Sequence, residues 1–287
     1  MTPAQKLEVR LKDSNQYSCM FDTSKIEYSW KDKKKGIVLP EKMTPDLAYL
    51  VGVHIGDGCM NIYKRKGQVD YYYSLCGHEI NDRLFHNSIM IPLFKKLFNI
   101  EAKSRMNSPG CCMLGVRSKA LVTFLNQCIG LPLGKKDKID IPKTILDSGL
   151  ENSLACIKGI FDTDFSLTFK NKNKTVHSYP IIDLKANSKS LVYSVESILS
   201  TVGFKGFIMK RRTKDKRFNK EIVQWILTIS GKDNLRRWFE LIGSKNPSYL
   251  SRYAVWRNFG FVPPYTDYLT RKDILLGKID PLELYKK

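Results

Sequence analysis

From residue 43 onward, the apolar and polar positions run through one order of periods twice. Thr44 can cap a helix that Pro45 opens, and apolar residues at helical spacing continue to Gly56. Alternating runs at 59–66 and 69–76 then read as two strands joined by a tight turn at Lys66-Gly67. A helix is predicted over 79–98, strands over 100–106 and 111–117 around Pro109-Gly110, and a helix over 118–129 that stops at Gly130. The second pass repeats this order. It has a helix at 153–163, strands at 167–172 and 177–185, and a helix at 189–202. Strands at 204–212 and 222–230 flank a very basic loop, and a helix at 232–242 ends at Gly243. The segments 118–130 and 231–243 are equally long, carry Lys at the second position and close on Ile-Gly. Each half therefore reads α-β-β-α-β-β-α, an α+β chain with an internal repeat. The expected organisation is an N-terminal extension (1–43), a first half (44–150), a second half (151–262) and a C-terminal tail (263–287) that follows a further helix near 246–259.

The first helix of each half carries the most informative residues. Ala48, Gly52 and Gly56 precede Asp57 in one; Ala155, Gly159 and Thr163 precede Asp164 in the other. Small residues every four positions leave a narrow face on which two helix backbones can approach closely. If these faces meet, Asp57 and Asp164 emerge side by side. That placement is unfavourable in itself. A carboxylate at a helix C-terminus opposes the helix dipole at roughly 0.3–1 kcal/mol, and two adjacent carboxylates repel. A divalent cation would relieve both effects, and hard oxygen ligands without a His or Cys cluster point to Mg²⁺.

Charge supplies the partner class. The chain has 287 residues, 48 Lys and Arg against 28 acids, and a net charge of +20. Such an excess opposes compaction unless a polyanion takes it up, and the basic residues do not follow an amphipathic helix, so nucleic acid rather than a membrane is expected. No apolar run approaches the roughly 18 residues of a membrane span, and residues 1–20 lack the apolar stretch of a secretion signal. An intracellular protein is expected, in the cytoplasm or an organelle matrix. Seven cysteines with no CxxC spacing read mostly as small buried residues and carry no assigned chemistry. The extension, with Lys33, Lys34 and Lys35 in a row, reads as a short sheet element, a flexible arm or an accessory nucleic-acid contact.

The segments Leu50-Val51-Gly52-Val53-His54-Ile55-Gly56-Asp57-Gly58 and Ile157-Lys158-Gly159-Ile160-Phe161-Asp162-Thr163-Asp164-Phe165 resemble the two motif copies of the LAGLIDADG homing endonucleases. The resemblance extends over about 45–265. Phe165 departs from the usual final Gly, and His54-Ile55 lacks the earlier acid that Asp162 retains. It implies two saddle-shaped antiparallel sheets over a long double-stranded DNA target. It also implies Mg²⁺-dependent cleavage of both strands across the minor groove, leaving short 3′ overhangs. Mn²⁺ is expected to substitute and Ca²⁺ to support binding without cleavage. With both halves in one chain, a monomer is expected, free-standing and intron-encoded rather than an intein. An intron RNA maturase and a non-cleaving DNA-binding regulator share the fold and remain alternatives, with intron RNA as partner in the first.

The same resemblance puts Asp57, Gly56, Asp164 and Thr163 on the metals, and a basic residue near the water in each half. Gly134-Lys135-Lys136 and Gly243-Ser244-Lys245 follow the repeat helices, and Lys136 and Lys245 are the preferred carriers. His78, at the end of the second strand, is a weaker candidate for a polar group there. For the DNA face, strand alternation nominates Lys64, Arg65, Lys66 and Tyr72 in the first half. In the second half it nominates Lys170, Lys172, Lys174, Lys210, Arg211, Arg212, Lys214 and Arg217. If about eight phosphates are neutralised, the salt slope of binding is near −7.

Overall fold

A computed structural model describes residues 20–65, 67–172, 175–215 and 219–286. Lys66, Lys174 and Arg217 lie outside the described residues, as does the side chain of Arg65.

The repeat of the sequence is a repeat of the fold. After a short helix α1 (Trp30–Lys34), the first half runs α2 (Pro45–Gly56), β1 (Gly58–Arg65) and β2 (Gln68–His78). It continues with α3 (Arg83–Phe85), a π-helical turn (His86–Met90), α4 (Ile91–Phe98), β3 (Lys103–Ser108), β4 (Cys111–Arg117) and α5 (Lys119–Gln127). A one-turn helix α6 (Lys143–Leu146) leads to the second half: α7 (Leu150–Phe161), β5 (Phe165–Lys170), β6 (Tyr179–Ala186), α8 (Lys189–Thr201), β7 (Phe207–Asp215), β8 (Lys220–Ser230) and α9 (Lys232–Leu241). Helices α10 (Pro247–Phe259) and α11 (Tyr268–Leu275) close the chain. Each half holds a four-stranded antiparallel sheet of the same order, β1-β2-β4-β3 and β5-β6-β8-β7. The fold class is α+β, with two halves of equal topology.

Local chemistry explains most boundaries. Thr44 caps α2 by accepting from Leu47 N at 3.2 Å, with Pro45 at the first helical position. Gly67 and Gly110 turn their hairpins at positive φ (78° and 77°). The predicted helix at 79–98 starts later and contains a π turn before Pro92. Proline lacks an N–H and its ring crowds the carbonyl four residues back, so the wider turn takes up the mismatch. The strand expected to continue to Lys172 ends at Lys170.

Alternation separates two faces in each sheet. Met60, Tyr73, Leu75 and Leu114 are buried against the helices, as are Leu167, Ile182, Leu184, Leu227 and Ile229. Between them, the register places Asn61, Tyr72 and Cys76 in the first half on the opposite, open face. Thr168, Lys170 and Lys185 hold the corresponding face of the second sheet.

Candidate active site

Helices α2 and α7 meet along their small residues. A methyl group on Gly52 would collide with the Cys156 carbonyl, and one on Gly159 with the Tyr49 carbonyl. On Gly56 it would collide with Thr163 and come within 3.4 Å of the Asp164 carboxyl carbon. Asp57 caps α2, Asp164 follows α7 by one turn, and both carboxylates therefore leave the helix pair at one end. Burial, the Asp164 carboxylate and Asp82 push Asp57 up to about 7. Burial also raises Asp164, against the pull of Lys136.

Lys136 reaches this end of the pair as the sequence suggested. Its ammonium donates to His54 O (3.1 Å), Ile55 O (3.0 Å) and Gly56 O, the unsatisfied carbonyls of the α2 terminus. Burial lowers its pKa, while Asp164 and Asp57 oppose that shift. The Gly56 carbonyl is thus occupied by an ammonium, and the Thr163 hydroxyl donates to Gly159 O at 3.0 Å. The acids stand as the free donors.

Lys245 lies elsewhere. Its ammonium sits 3.2 Å from Asp46 Oδ1 and over the Tyr49 ring, at the N-terminal end of α2. Along a helix rising about 1.5 Å per residue, that is roughly 16 Å from Asp57. The residue that caps α7 as Lys136 caps α2 is Asn246, whose amide donates to Asp162 O at 2.8 Å. The capping residue stands six positions after Gly130 but three after Gly243, so matching Gly243 with Gly134 misplaced the equivalent by one residue. Asp162, 2% exposed, accepts from Tyr49 OH (2.6 Å), Lys245 N (2.8 Å) and Ser244 Oγ. It ties both motif helices to the loop before α10.

Two unlike hollows open at this end of the helix pair, one reaching Asp164 and the other Thr163 and Asp162. One, of about 300 Å³, is lined by Gly56, Lys136, Asp164, Lys185, Asn187 and Gln224. The other, of about 210 Å³, is lined by His78, Asp82, Thr163, Asn246, Tyr249 and Arg252. Sequence reasoning found Lys136 and His78 but missed Asp82, Gln224 and Arg252. The register also corrects the second-strand position. Gly58 pairs with Leu75 and Phe165 with Leu184, so the equivalent of Lys185 is Cys76, not His78. Cys76 is exposed, and burial nearby together with Cys111 and Asp57 raises its thiol. The expectation that the cysteines are mostly buried therefore fails among the described residues: Cys112 and Cys156 are buried, the other four are not.

Among the described residues, no cluster of three or more His, Cys, Asp or Glu is arranged to hold a metal ion. The two paired acids still fit one. Burial, above all, raises both pKa values, so ionising the pair is costly without a further positive charge beyond the Lys136 ammonium at the α2 terminus. A small hard cation that takes one or two carboxylates and completes its shell from phosphates and water suits this donor set.

The register sorts the nominated nucleic-acid contacts. Tyr72 lies on the open face, with Arg117 over its ring at 5.0 Å. Lys170 pairs with Tyr179 on that face, and Lys172 stacks over the Tyr179 ring at 3.6 Å. Arg211 pairs with Gln224 on the open side. Its neighbours Lys210, Arg212 and Lys214 alternate to the other side, where Lys210 lies 5.7 Å from the Trp225 ring and Arg212 pairs with Glu221 at 3.5 Å. Lys64 shares the helix-side parity of Met60 and Ile62 at the exposed end of its strand. A strand's lysines cannot all face one way when they are adjacent in sequence.

Two four-stranded sheets, each entered from a helix whose small face packs on the other and whose end carries an aspartate, define a duplicated α+β protein with a pair of acids at its centre. Residues 151–243 match the family model described as a LAGLIDADG-like domain, and the first half has the same sheet topology as the half that matches. No curated protein matches the chain. Among solved structures, a mesophilic variant of the homing endonuclease I-DmoI is 20% identical, covering 70% of this chain and 96% of that one at a TM-score of 0.47. I-DmoI in complex with DNA and Ca is 21% identical over 70% and 91%, also at 0.47. The meganuclease I-SmaMI bound to uncleaveable DNA is 13% identical over 85% and 97%, again at 0.47.

Proposed function

We propose that the protein is a site-specific endonuclease that hydrolyses both strands of a long double-stranded DNA target with Mg²⁺, leaving short 3′ overhangs. The observation that carries this reading is the pair Asp57 and Asp164, brought together by the contact of Gly52 with Gly159 and both raised in pKa, chiefly by burial. Folding alone gives no reason to keep two such carboxylates adjacent. A divalent cation bound there supplies Lewis-acid stabilisation of a phosphodiester and lowers the pKa of a bound water.

The chain's own residues provide the remainder. Asp57 and Asp164 hold the cation, Mg²⁺ in the cell and Mn²⁺ as a substitute, with Ca²⁺ allowing binding alone. Lys136 fixes the end of α2 and adds positive charge next to the phosphate. Lys185 and Gln224 on one side, and Arg252 and His78 on the other, lie where they can order water and phosphate oxygens. Tyr72, Lys170, Lys172 and Arg211 contact the duplex from the open faces. Both centres are in one chain, so the active form is a monomer, and the intracellular, intron-encoded setting follows from this reading.

The test is a two-stage selection from a large pool of duplex sequences. Duplexes retained in Ca²⁺ should share a site, and replacing Ca²⁺ with Mg²⁺ should break them at that site. Retention without breakage in Mg²⁺ or Mn²⁺ would establish a non-cleaving DNA-binding protein instead. Failure to retain any duplex, with retention of folded RNA, would favour the maturase.

A further inference from the structure

We infer that the segment carrying α1 is an accessory grip on the DNA that flanks the target on the first-half side, which rests on the duplex reading above. Register gives the direction. In the first sheet Asp57 and His78 mark the central end, while β4 runs outward from Cys111 to Arg117. There β3 stops short, since Lys103 pairs with Gly115 and leaves Val116 and Arg117 without a β3 partner. The opening is a notch of about 440 Å³, and Lys35, Lys95, Lys103 and Arg117 line it with Glu101 as the acid. Lys103 and Arg117 belong to the open face; Lys35 comes from the end of α1. The positive face of the sheet therefore continues round its outer end onto α1.

Specific bonds hold α1 in that place. Asp32 is buried and accepts from Lys119 N (3.1 Å), Ala120 N (3.2 Å) and Ser29 Oγ (2.8 Å), so α1 is bolted to the start of α5, two residues after Arg117. Asn99 donates to Gly36 O at 2.9 Å and fixes the other end. With its acid consumed inward, α1 presents only Lys31, Lys33, Lys34 and Lys35 outward, beside a Trp30 that is 70% exposed. An aromatic ring left in water among lysines, with Lys34 5.1 Å from it, fits a polyanion with sugar and base faces. Among the described residues this bolt has no counterpart at α9, whose N-cap is Gly231 with no side-chain capping bond. Contact with the flank is consequently one-sided, and the protected DNA extends further from the cut on the first-half side.

The test uses the full chain and a fluorescein-labelled 40-base-pair duplex of random sequence in Ca²⁺. Affinity is measured from 50 to 300 mM salt for three proteins: wild type, Lys33→Gln/Lys34→Gln/Lys35→Gln, and a charge-matched control, Lys189→Gln/Lys232→Gln/Arg236→Gln. The control residues lie on the helices behind the second sheet. Every phosphate that is no longer neutralised lowers the slope by about 0.9, so the first variant should flatten it by about 2 to 3 and weaken binding about tenfold or more at 100 mM salt, while the control stays near wild type. Duplex should also shield Trp30 from acrylamide, read as the difference between wild type and Trp30→Phe. Equal slopes for the two triple variants, or a Trp30 that remains accessible on the duplex, would overturn the proposal. Loss of binding to structured RNA or anionic vesicles with an unchanged duplex slope would overturn it in favour of those partners. A wild type that does not bind duplex at all would refute the underlying reading instead.

Discussion

At the residue scale, the site is set by which charges are left without a partner. Asp57 titrates near 7 in the fold against an ordinary value of 3.8, and the sign of the consequence follows. Below 3.8 both folded and unfolded chains hold the proton and Asp57 costs nothing. Between 3.8 and about 7 the folded chain keeps a proton that the unfolded chain has released, so stability falls as pH rises, at up to about 1.4 kcal/mol per unit. Above about 7 the full penalty stands until a cation removes it. Metal-free wild type should therefore lose melting temperature from pH 5 to pH 8 relative to Asp57→Asn, and Mg²⁺ should restore it in wild type alone. Parallel melting curves with no Mg²⁺ response would show that the acids carry no such strain.

The two lysines chosen from sequence separate on the same ground. Lys136 spends its ammonium on the α2 terminus beside the acids; Lys245 spends it on Asp46 at the far end of that helix. Lys136→Met should lower the cleavage rate by about 10²–10³-fold with binding nearly unchanged, because it removes charge placed next to the reacting phosphate. Lys245→Met should leave the rate within about threefold and act on stability. Strand-cleavage rates at saturating protein distinguish the two, and equal losses would contradict the assignment.

At the element scale, the helix pair is the device that makes the site. Gly52 and Gly159 are glycines because any Cβ there meets backbone of the other helix, not because of φ. Gly52→Ala should separate α2 from α7, cost about 1–3 kcal/mol in denaturant unfolding, and reduce cleavage more than stability alone explains. A variant that folds and cuts like wild type would remove the reason for the close contact. Asp162 supports the pair from the side by joining Tyr49 of α2 to the 244–246 loop. The sequence suggested it was not a metal ligand but gave no sign of this clamp, since its partners come from two distant segments.

At the scale of the whole molecule, much of the fold was legible because local signals agreed with it. Capped helices, Gly-centred hairpin turns and alternating runs placed nearly every repeat element, and the small-residue spacing anticipated which helix faces meet. What could not be read depended on register or loop length. The capping residue stands six positions after Gly130 but three after Gly243, which moved the second-half equivalent from Lys245 to Asn246. Pairing alone revealed that Cys76 corresponds to Lys185, and that Lys210 and Arg212 turn away from the face that Arg211 holds. Asp82 and Arg252 enter the second hollow from elements outside the motif, so no spacing announces them. The outcome is a duplicated frame with unequal centres, one lined by Lys136 and Lys185, the other by Asp82, Asn246 and Arg252.

The central claim is that Asp57 and Asp164 together form the cleavage centre. The most direct measurement is strand-resolved cutting of a selected target in Mg²⁺ by wild type, Asp57→Asn and Asp164→Asn, with duplex binding in Ca²⁺ measured on the same samples. The account predicts two cuts by wild type, loss of at least one strand's cut by about 10³-fold or more in each variant, and binding that persists. Cutting of both strands at wild-type rates by either variant would contradict it.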